Sequence, residues 1–161
     1  MTGLPTLCDL FLQQAAARPN AVALVAERTL SYADLHRRML EIAAVLERHT
    51  PTPETTFGVL MAKDADVVAT LLAIWFIGAA YMPMDPGDPP PRLASMIANT
   101  GCETLVTNAG AKDLVAELPA GTDPFEVVDV SRIEHGVADS DLSPTATESS
   151  ALAVVLHTSG S

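Results

Sequence analysis

The 161-residue chain carries 9 Lys and Arg against 20 Asp and Glu, a formal net charge of −11, and is 48% hydrophobic. That suits one domain or one piece of a larger one with a real core and excludes wholesale disorder, while the acidic balance, with no cation run longer than Arg37-Arg38, excludes a nucleic-acid binder. Cys8 and Cys102 lie far apart without CxxC spacing, which argues against a disulfide scaffold or a zinc site and for a reducing, cytoplasmic home.

From the N-terminus, Met1 to Leu12 holds Asp9 and no basic run, so it does not read as a secretory signal. Thr6 with Asp9 three residues on is a capping-box pattern; Leu7, Leu10 and Phe11 follow at helical spacing, and Pro19 stops the helix. Ala21–Ala26 and Thr29–Tyr32 read as two short strands around Glu27-Arg28. Ser31 and Asp34 repeat the capping box. Behind them Leu35, Met39, Ile42 and Leu46 mark the core face of a second helix, with Arg37 and Arg38 on a solvated face. A Thr/Pro turn over 50–56 leads into a strand at Phe57–Met61. Val67–Met84 is 18 residues without a formal charge, long enough for a membrane span. Gly78-Ala79-Ala80 breaks it, Pro83 sits near its end and acidic residues flank it, so a buried helix (Ala65–Ile77), a Gly turn and a buried strand (Ala80–Met82) explain it better and no membrane span is expected.

Asp85 to Pro91 (DPGDPPP) is a rigid turn whose last Pro suits the first turn of a helix. Leu93, Met96 and Ile97 give that helix a face and Gly101 ends it. Thr104–Thr107 and Phe125–Val130 read as strands with a short helix, Ala111–Leu118, between them. Ser131–Ser150 reads as a polar surface connection, and Ala151–Leu156 as a final apolar strand. Alternation of strands and helices predicts an α/β fold: a three-layer, mostly parallel sheet with flanking helices, plus a small N-terminal hairpin.

The chemistry-bearing residues are few. The last strand runs into Thr158-Ser159-Gly160-Ser161, whose small hydroxyls and close-approaching amides suit a phosphate loop; a flexible chain end has the same composition. Residues 93–161 carry 2 basic and 10 acidic residues, a net of −8, around that candidate. His36, His49 and His135 are isolated and read as exposed, none at metal-ligand spacing. Asp85 reads as a turn carboxylate, Tyr81, Met82 and Met84 as core, and His157 as packing beneath the phosphate loop.

Three motifs in order extend this reading. Leu30-Ser31-Tyr32-Ala33-Asp34-Leu35 resembles the first core motif of adenylate-forming enzymes, Leu-Thr/Ser-Tyr-x-Glu/Asp-Leu. Gly78-Ala79-Ala80-Tyr81-Met82-Pro83-Met84-Asp85-Pro86 resembles the second, which in peptide-synthetase adenylation domains reads like Lys-Ala-Gly-x-Ala-Tyr-x-Pro-x-Asp-Pro. Leu156-His157-Thr158-Ser159-Gly160-Ser161 resembles the opening of the third, Tyr-Thr-Ser-Gly-Ser-Thr-Gly-x-Pro-Lys-Gly. Arg92-Leu93, Leu10-Phe11 and Pro19–Leu24 also look familial. The chain departs from the pattern at Trp75-Phe76-Ile77, where Leu-Lys-Ala is usual, and at His157, where Tyr or Phe is usual.

The resemblance implies that residues 1–161 are a partial N-terminal subdomain of an AMP-binding ligase, breaking off inside the phosphate-loop motif. It implies a parent that activates an amino-acid or other carboxylate substrate with ATP and Mg²⁺, forms an acyl-adenylate, releases pyrophosphate, and thioesterifies the phosphopantetheine of a carrier-protein domain. Thr158, Ser159, Gly160 and Ser161 would then cradle the β and γ phosphates, and no catalytic residue or metal ligand is assigned. These residues alone are expected to be inactive. Two rival readings stay open here: an acyl- or aryl-CoA ligase of the same superfamily, and a non-catalytic binding module or remnant.

Overall fold

The structure, a computed structural model, describes residues 5–49, 55–122, 126–136, 142–147 and 150–157. Both capping boxes form. Helix α1 (Leu7–Ala17) starts at Thr6, whose Oγ1 accepts from the Asp9 amide at 3.1 Å while Asp9 accepts from the Thr6 amide at 2.8 Å. Helix α2 (Tyr32–Leu46) starts at Ser31 in the same way, with 3.1 Å and 3.2 Å. Strands β1 (Val22–Val25) and β2 (Thr29–Ser31) make the expected antiparallel hairpin.

The hydroxyl and amide of Ser31 hold the Asp34 carboxyl below its ordinary value. A carboxyl lowered by folding adds stability above its unfolded value, and that stability is lost as pH falls through the lowered one. Ser31→Ala is therefore expected to cost about 1 kcal/mol at neutral pH and to flatten the acid limb of stability. Urea midpoints measured from neutral pH down through the carboxylate range check both parts.

The main sheet contains β3 (Thr56–Leu60), β4 (Ala80–Met84), β5 (Thr104–Thr107) and β6 (Glu126–Asp129), all parallel, in the order β4-β3-β5-β6. The connections are helices α3 (Ala65–Phe76), α4 (Pro90–Thr100) and α5 (Lys112–Ala116). From β3 the chain moves one way to β4, then back across β3 to β5. Right-handed crossovers in opposite directions place their helices on opposite faces. One face accordingly packs α2 and α3 on Phe57, Val59, Met61, Val106 and Val128. The other packs α4 and α5 on Leu60, Met82, Met84 and Leu105. This is the three-layer α/β arrangement expected from the sequence. Each fully buried side chain, such as Phe57, Ile74 or Leu105 at 0% exposure, adds roughly 1.5–3 kcal/mol by leaving water.

The stretch read as helix–turn–strand rather than membrane span is α3 followed by β4, and no helix among the described residues is long and apolar enough to cross a membrane. Pro90 opens α4, and Gly101 closes it in the left-handed region at φ 65°.

Arg38 corrects the sequence reading. It does not lie on a solvated face: it is 4% exposed, and Glu41 is 2% exposed. All five guanidinium N–H groups find acceptors. Nε donates to Asp66 Oδ1 (3.1 Å), Nη1 to Glu41 Oε2 (3.0 Å) and the Ile133 carbonyl (3.1 Å), and Nη2 to Asp66 Oδ2 (2.8 Å) and the Val130 carbonyl (2.7 Å). The guanidinium thus joins α2, α3 and the segment after β6. Arg37 is exposed as expected and meets Asp34 at 3.3 Å. The histidines also divide. His135 is exposed, 3.4 Å from Glu41. His36 is half-buried near the Phe11 ring and burial lowers its pKa, and His49 is half-buried and paired with Glu126.

Candidate functional site

An open parallel sheet binds ligands where the strand order reverses, outside the carboxyl ends of its strands. Here that point is β3, whose neighbours β4 and β5 are followed by helices that both lie across the sheet from α3. The crevice between β3 and β5 is filled by the protein itself. Asn108, 1% exposed, accepts from the Ala62 amide (3.0 Å) and donates to the Ala62 carbonyl (2.8 Å) and to Asp64 Oδ2 (2.6 Å). At Gly110 an added Cβ would lie 2.6 Å from that of Ala62, so the two loops touch backbone to side chain. Burial raises the Asp64 carboxyl pKa against the pull of its hydrogen bonds.

β4 is the edge strand, and the segment leading to the candidate phosphate motif lies against it. Tyr81 donates its N–H to the Ala153 carbonyl (3.2 Å) and accepts from the Val155 N–H (2.9 Å), a parallel bridge between Tyr81 and Val154. Trp75, at the end of α3, donates Nε1–H to the same Ala153 carbonyl at 3.2 Å. Its ring stands 5.6 Å from that of Tyr81. Farther back, the Thr145 N–H donates to the Phe76 carbonyl at 2.9 Å.

The expected strand Ala151–Leu156 does not form beyond this one bridge, and the reason lies in β4. In a parallel ladder the next rung would run from the N–H of residue 83 to the Val155 carbonyl. Residue 83 is proline and has no N–H. The same proline is harmless toward β3, because its nitrogen faces the open edge while residues 80, 82 and 84 bond to β3.

After the bridge the chain is held once more. His157 Nε2 lies 2.9 Å from Thr100 Oγ1, at the end of α4. His157 is half-buried, as a packing residue would be. The motif residues Thr158, Ser159, Gly160 and Ser161 lie outside the described residues. What the structure brings together is their approach: β4, the Trp75 indole and the C-terminus of α4.

The other motif residues have structural work. Ser31 and Asp34 cap α2, and Tyr32 packs on Phe11 with ring centroids 6.0 Å apart. Met82 and Met84 are core, and Tyr81 is half-buried on the α3 face. Asp85 forms the expected turn, its Oδ1 accepting from the Gly87 N–H at 2.8 Å. Among the described residues no group of three or more His, Cys, Asp or Glu side chains is gathered closely enough to hold a metal ion. A groove of about 680 Å³, lined by Val45, Arg48, His49, Glu126 and Arg132, lies at β6, the opposite edge of the sheet from the motif.

Sequence reasoning missed Arg38, Asn108 and Thr100. A signal for the first was present: Arg38 falls three residues after Leu35 and four before Ile42, on the core face. Nothing local marks the other two, whose partners lie 46 and 57 residues away.

A family model described as AMP-binding enzyme matches residues 11–161. Tyrocidine synthase 3 of Brevibacillus parabrevis is 34% identical over 163 residues, which cover 99% of this chain and 2% of that protein. The antimetabolite synthetase AmbB of Pseudomonas aeruginosa is 33% identical over 96% of this chain and 12% of its own. Among solved structures, the nonribosomal peptide synthetase FmoA3 in its AMPPNP-bound form superposes with a TM-score of 0.82 at 27% identity, covering 98% of this chain and 17% of that one. A four-domain nonribosomal peptide synthetase bound to AMP and glycine gives a TM-score of 0.71 at 28% identity, over 83% of this chain and 10% of its own. The chain thus spans only a small part of each relative's length.

Proposed function

The chain belongs to the AMP-binding enzyme family, and on that premise we propose that residues 1–161 form part of the N-terminal subdomain of a peptide-synthetase adenylating ligase and supply its nucleotide-phosphate contact. The parent activity joins a carboxylate, an amino acid on this reading, to the α-phosphate of ATP and releases pyrophosphate. The acyl group then passes to the phosphopantetheine thiol of a carrier-protein partner. One observation carries the proposal: the parallel bridge at Tyr81 lays the chain along the edge of β4, and Leu156-His157, which follow it, are the residues immediately before the Thr158–Ser161 motif in the sequence. Relatives that are peptide synthetases, solved with AMPPNP or with AMP and glycine, support the same reading.

In this role Thr158, Ser159 and Ser161 offer hydroxyl donors, and the amides around Gly160 offer close-approaching N–H groups, to the β and γ phosphate oxygens. Mg²⁺ would supply charge neutralisation when it accompanies the nucleotide.

Within these 161 residues the acidic half has only Lys112 and Arg132 as cations against ten carboxylates. Coulomb repulsion there opposes a tetra-anionic nucleotide, and no lysine accompanies the motif. We therefore expect the 161-residue polypeptide to show ATP–pyrophosphate exchange at buffer background with every amino acid. Grafted in place of the matching residues of a related adenylating enzyme, it should support amino-acid-dependent exchange. Exchange by the polypeptide alone, or a dead graft that is nonetheless folded, contradicts the proposal.

A further inference from the structure

The two edges of the main sheet are finished differently. On β4 the outward-facing position 83 is a proline, which offers no N–H to a newcomer, and Ala153 and Val155 already bond to the strand at Tyr81. β6, the other edge, reads Glu126-Val127-Val128-Asp129, with no proline, glycine or lysine. The Glu126 N–H donates to the Glu103 carbonyl at 2.7 Å. In the parallel register that follows, positions 126 and 128 bond to β5, so the N–H and C=O of Val127 and the N–H of Asp129 point away from the sheet. Among the described residues nothing pairs with these groups, and Val127 is 46% exposed.

The groove of about 680 Å³ runs beside this edge on the α2 side, with Ala44, Val45, Val128 and Ile133 as its apolar lining. A strand laid along β6 sends alternate side chains to opposite faces, so every second one enters the groove. The edge thus offers main-chain bonds and the groove a place for side chains, the two parts of recognition by strand addition.

Charge selects the occupant. In formal charge the groove sets Arg48 and Arg132 against Glu126, Asp129 and Glu134, one negative charge in excess, on a chain of net −11. Glu41, which also lines it, is matched by Arg38. Glu134 is exposed and has no partner among the described residues. Glu126 pairs with His49, and Asp129 with Arg132 at 3.4 Å; each pair has an exposed member and is readily exchanged. A second copy of this chain fits poorly. It brings the same negative charge, and antiparallel pairing centred on β6 sets Glu126 opposite Asp129.

We propose that the open edge of β6 and its groove dock an extended, positively charged peptide segment of a partner protein, which adds a fifth strand to the four-stranded sheet. Main-chain bonds at Val127 and Asp129 hold it, an apolar side chain fills the groove, and its cations meet Glu126 and Glu134. This does not depend on the nucleotide-phosphate reading above.

The test titrates the 161-residue chain with acetyl-Lys-Val-Thr-Val-Thr-Lys-amide to millimolar concentration and follows backbone amides by NMR. The largest shifts should fall on Val127 and Asp129, the outward-facing amides, and added salt should weaken binding. Val127→Pro leaves the bonds to β5 intact, as Pro83 leaves those of β4 to β3. It should bind roughly tenfold more weakly with unchanged far-ultraviolet circular dichroism, because it loses a main-chain donor, whereas Val127→Thr should bind like wild type. The charge-reversed peptide, with Glu for both Lys, should bind more weakly than the Lys peptide. Should Val127→Pro fail to fold, the amide map and the charge-reversed peptide decide. Equal binding by the Pro and Thr variants, equal binding of the two peptides, shifts centred away from β6, or no response overturns the proposal. Self-association of the chain that involves the Val127 and Asp129 amides would also overturn it, and would make a second copy the occupant.

Discussion

Arg38→Met is expected to destabilise the protein by about 3–5 kcal/mol, as does removal of one partner from a buried ion pair elsewhere. The guanidinium is 4% exposed, and its loss strands four acceptors at once: Asp66, Glu41 and the carbonyls of Val130 and Ile133. Some compensation remains. Arg28 still reaches Asp66 at 3.2 Å, and the Gly136 N–H still reaches Glu41 at 2.6 Å. For a domain of this size the loss corresponds to a fall in Tm of roughly 10 °C or more. Arg37→Met, the adjacent residue, is the internal control. Its carboxylate partner is exposed, and an exposed pair contributes no more than about 1 kcal/mol. Adding Asp66→Asn and Glu41→Gln to Arg38→Met should recover part of the loss, since the penalty comes mainly from unpaired buried charge. Urea unfolding of the four proteins, followed by far-ultraviolet circular dichroism, measures all of this. Equal midpoints for the Arg37 and Arg38 variants would contradict the buried placement of Arg38.

Gly78→Ala is the second large effect. Gly78 sits at φ 76°, in the left-handed region, and an added Cβ would lie 2.8 Å from Thr145 Cγ2. The backbone term alone costs roughly 1–2 kcal/mol, and the collision raises the total to about 2–3 kcal/mol, within the range for overpacking. The two parts are separable. On a Thr145→Gly background the collision disappears and only the backbone cost remains, so the double-mutant cycle should show coupling of about 1 kcal/mol. The variant also reports on the site, because the Gly78 turn sets the start of β4 and the Thr145 contact lies on the strap that leads to Ala153. The sole tryptophan, Trp75, bonded to the Ala153 carbonyl, should change its fluorescence in Gly78→Ala. An unchanged spectrum with full stability would show that the strap does not pack on this turn.

Legibility in the sequence followed the range of the interaction. Features set within one or two turns of chain were readable. Both capping boxes need residues only three apart, and the hairpin, the Pro90 start of α4 and its Gly101 stop are equally local. The parallel α/β class also followed, because alternating helices and apolar strands leave few other ways to bury both faces. The order β4-β3-β5-β6 was not readable, since it depends on which way each crossover turns. Arg38 escaped because hydropathy scores a guanidinium as exposed wherever it falls, whereas its acceptors Asp66, Val130 and Ile133 come from 28 to 95 residues away. The last strand was overread for the opposite reason. Ala151–Leu156 is apolar enough, but its neighbour carries Pro83, and a missing rung in a partner strand has no trace in the segment itself.

The candidate site divides in the same way. Its motif, Thr158 to Ser161, is conspicuous in the sequence, while the contacts of the segment before it are not: Tyr81 with Ala153 and Val155, Trp75 with Ala153, and Thr100 with His157. Each joins elements more than fifty residues apart, and each becomes visible only once β4 is known to be an edge.

Nucleotide phosphates are expected to meet this chain at the end of the β4 edge. Paramagnetic broadening of backbone amides by Mn·ATP tests this most directly, because the effect falls steeply with distance from the phosphates. Broadening confined to His157–Ser161 and the carboxyl end of β4 around Met84–Gly87 is the expected result. Broadening centred instead on the arginine-rich surface of Arg28 and Arg37, or on the groove beside β6, would contradict it.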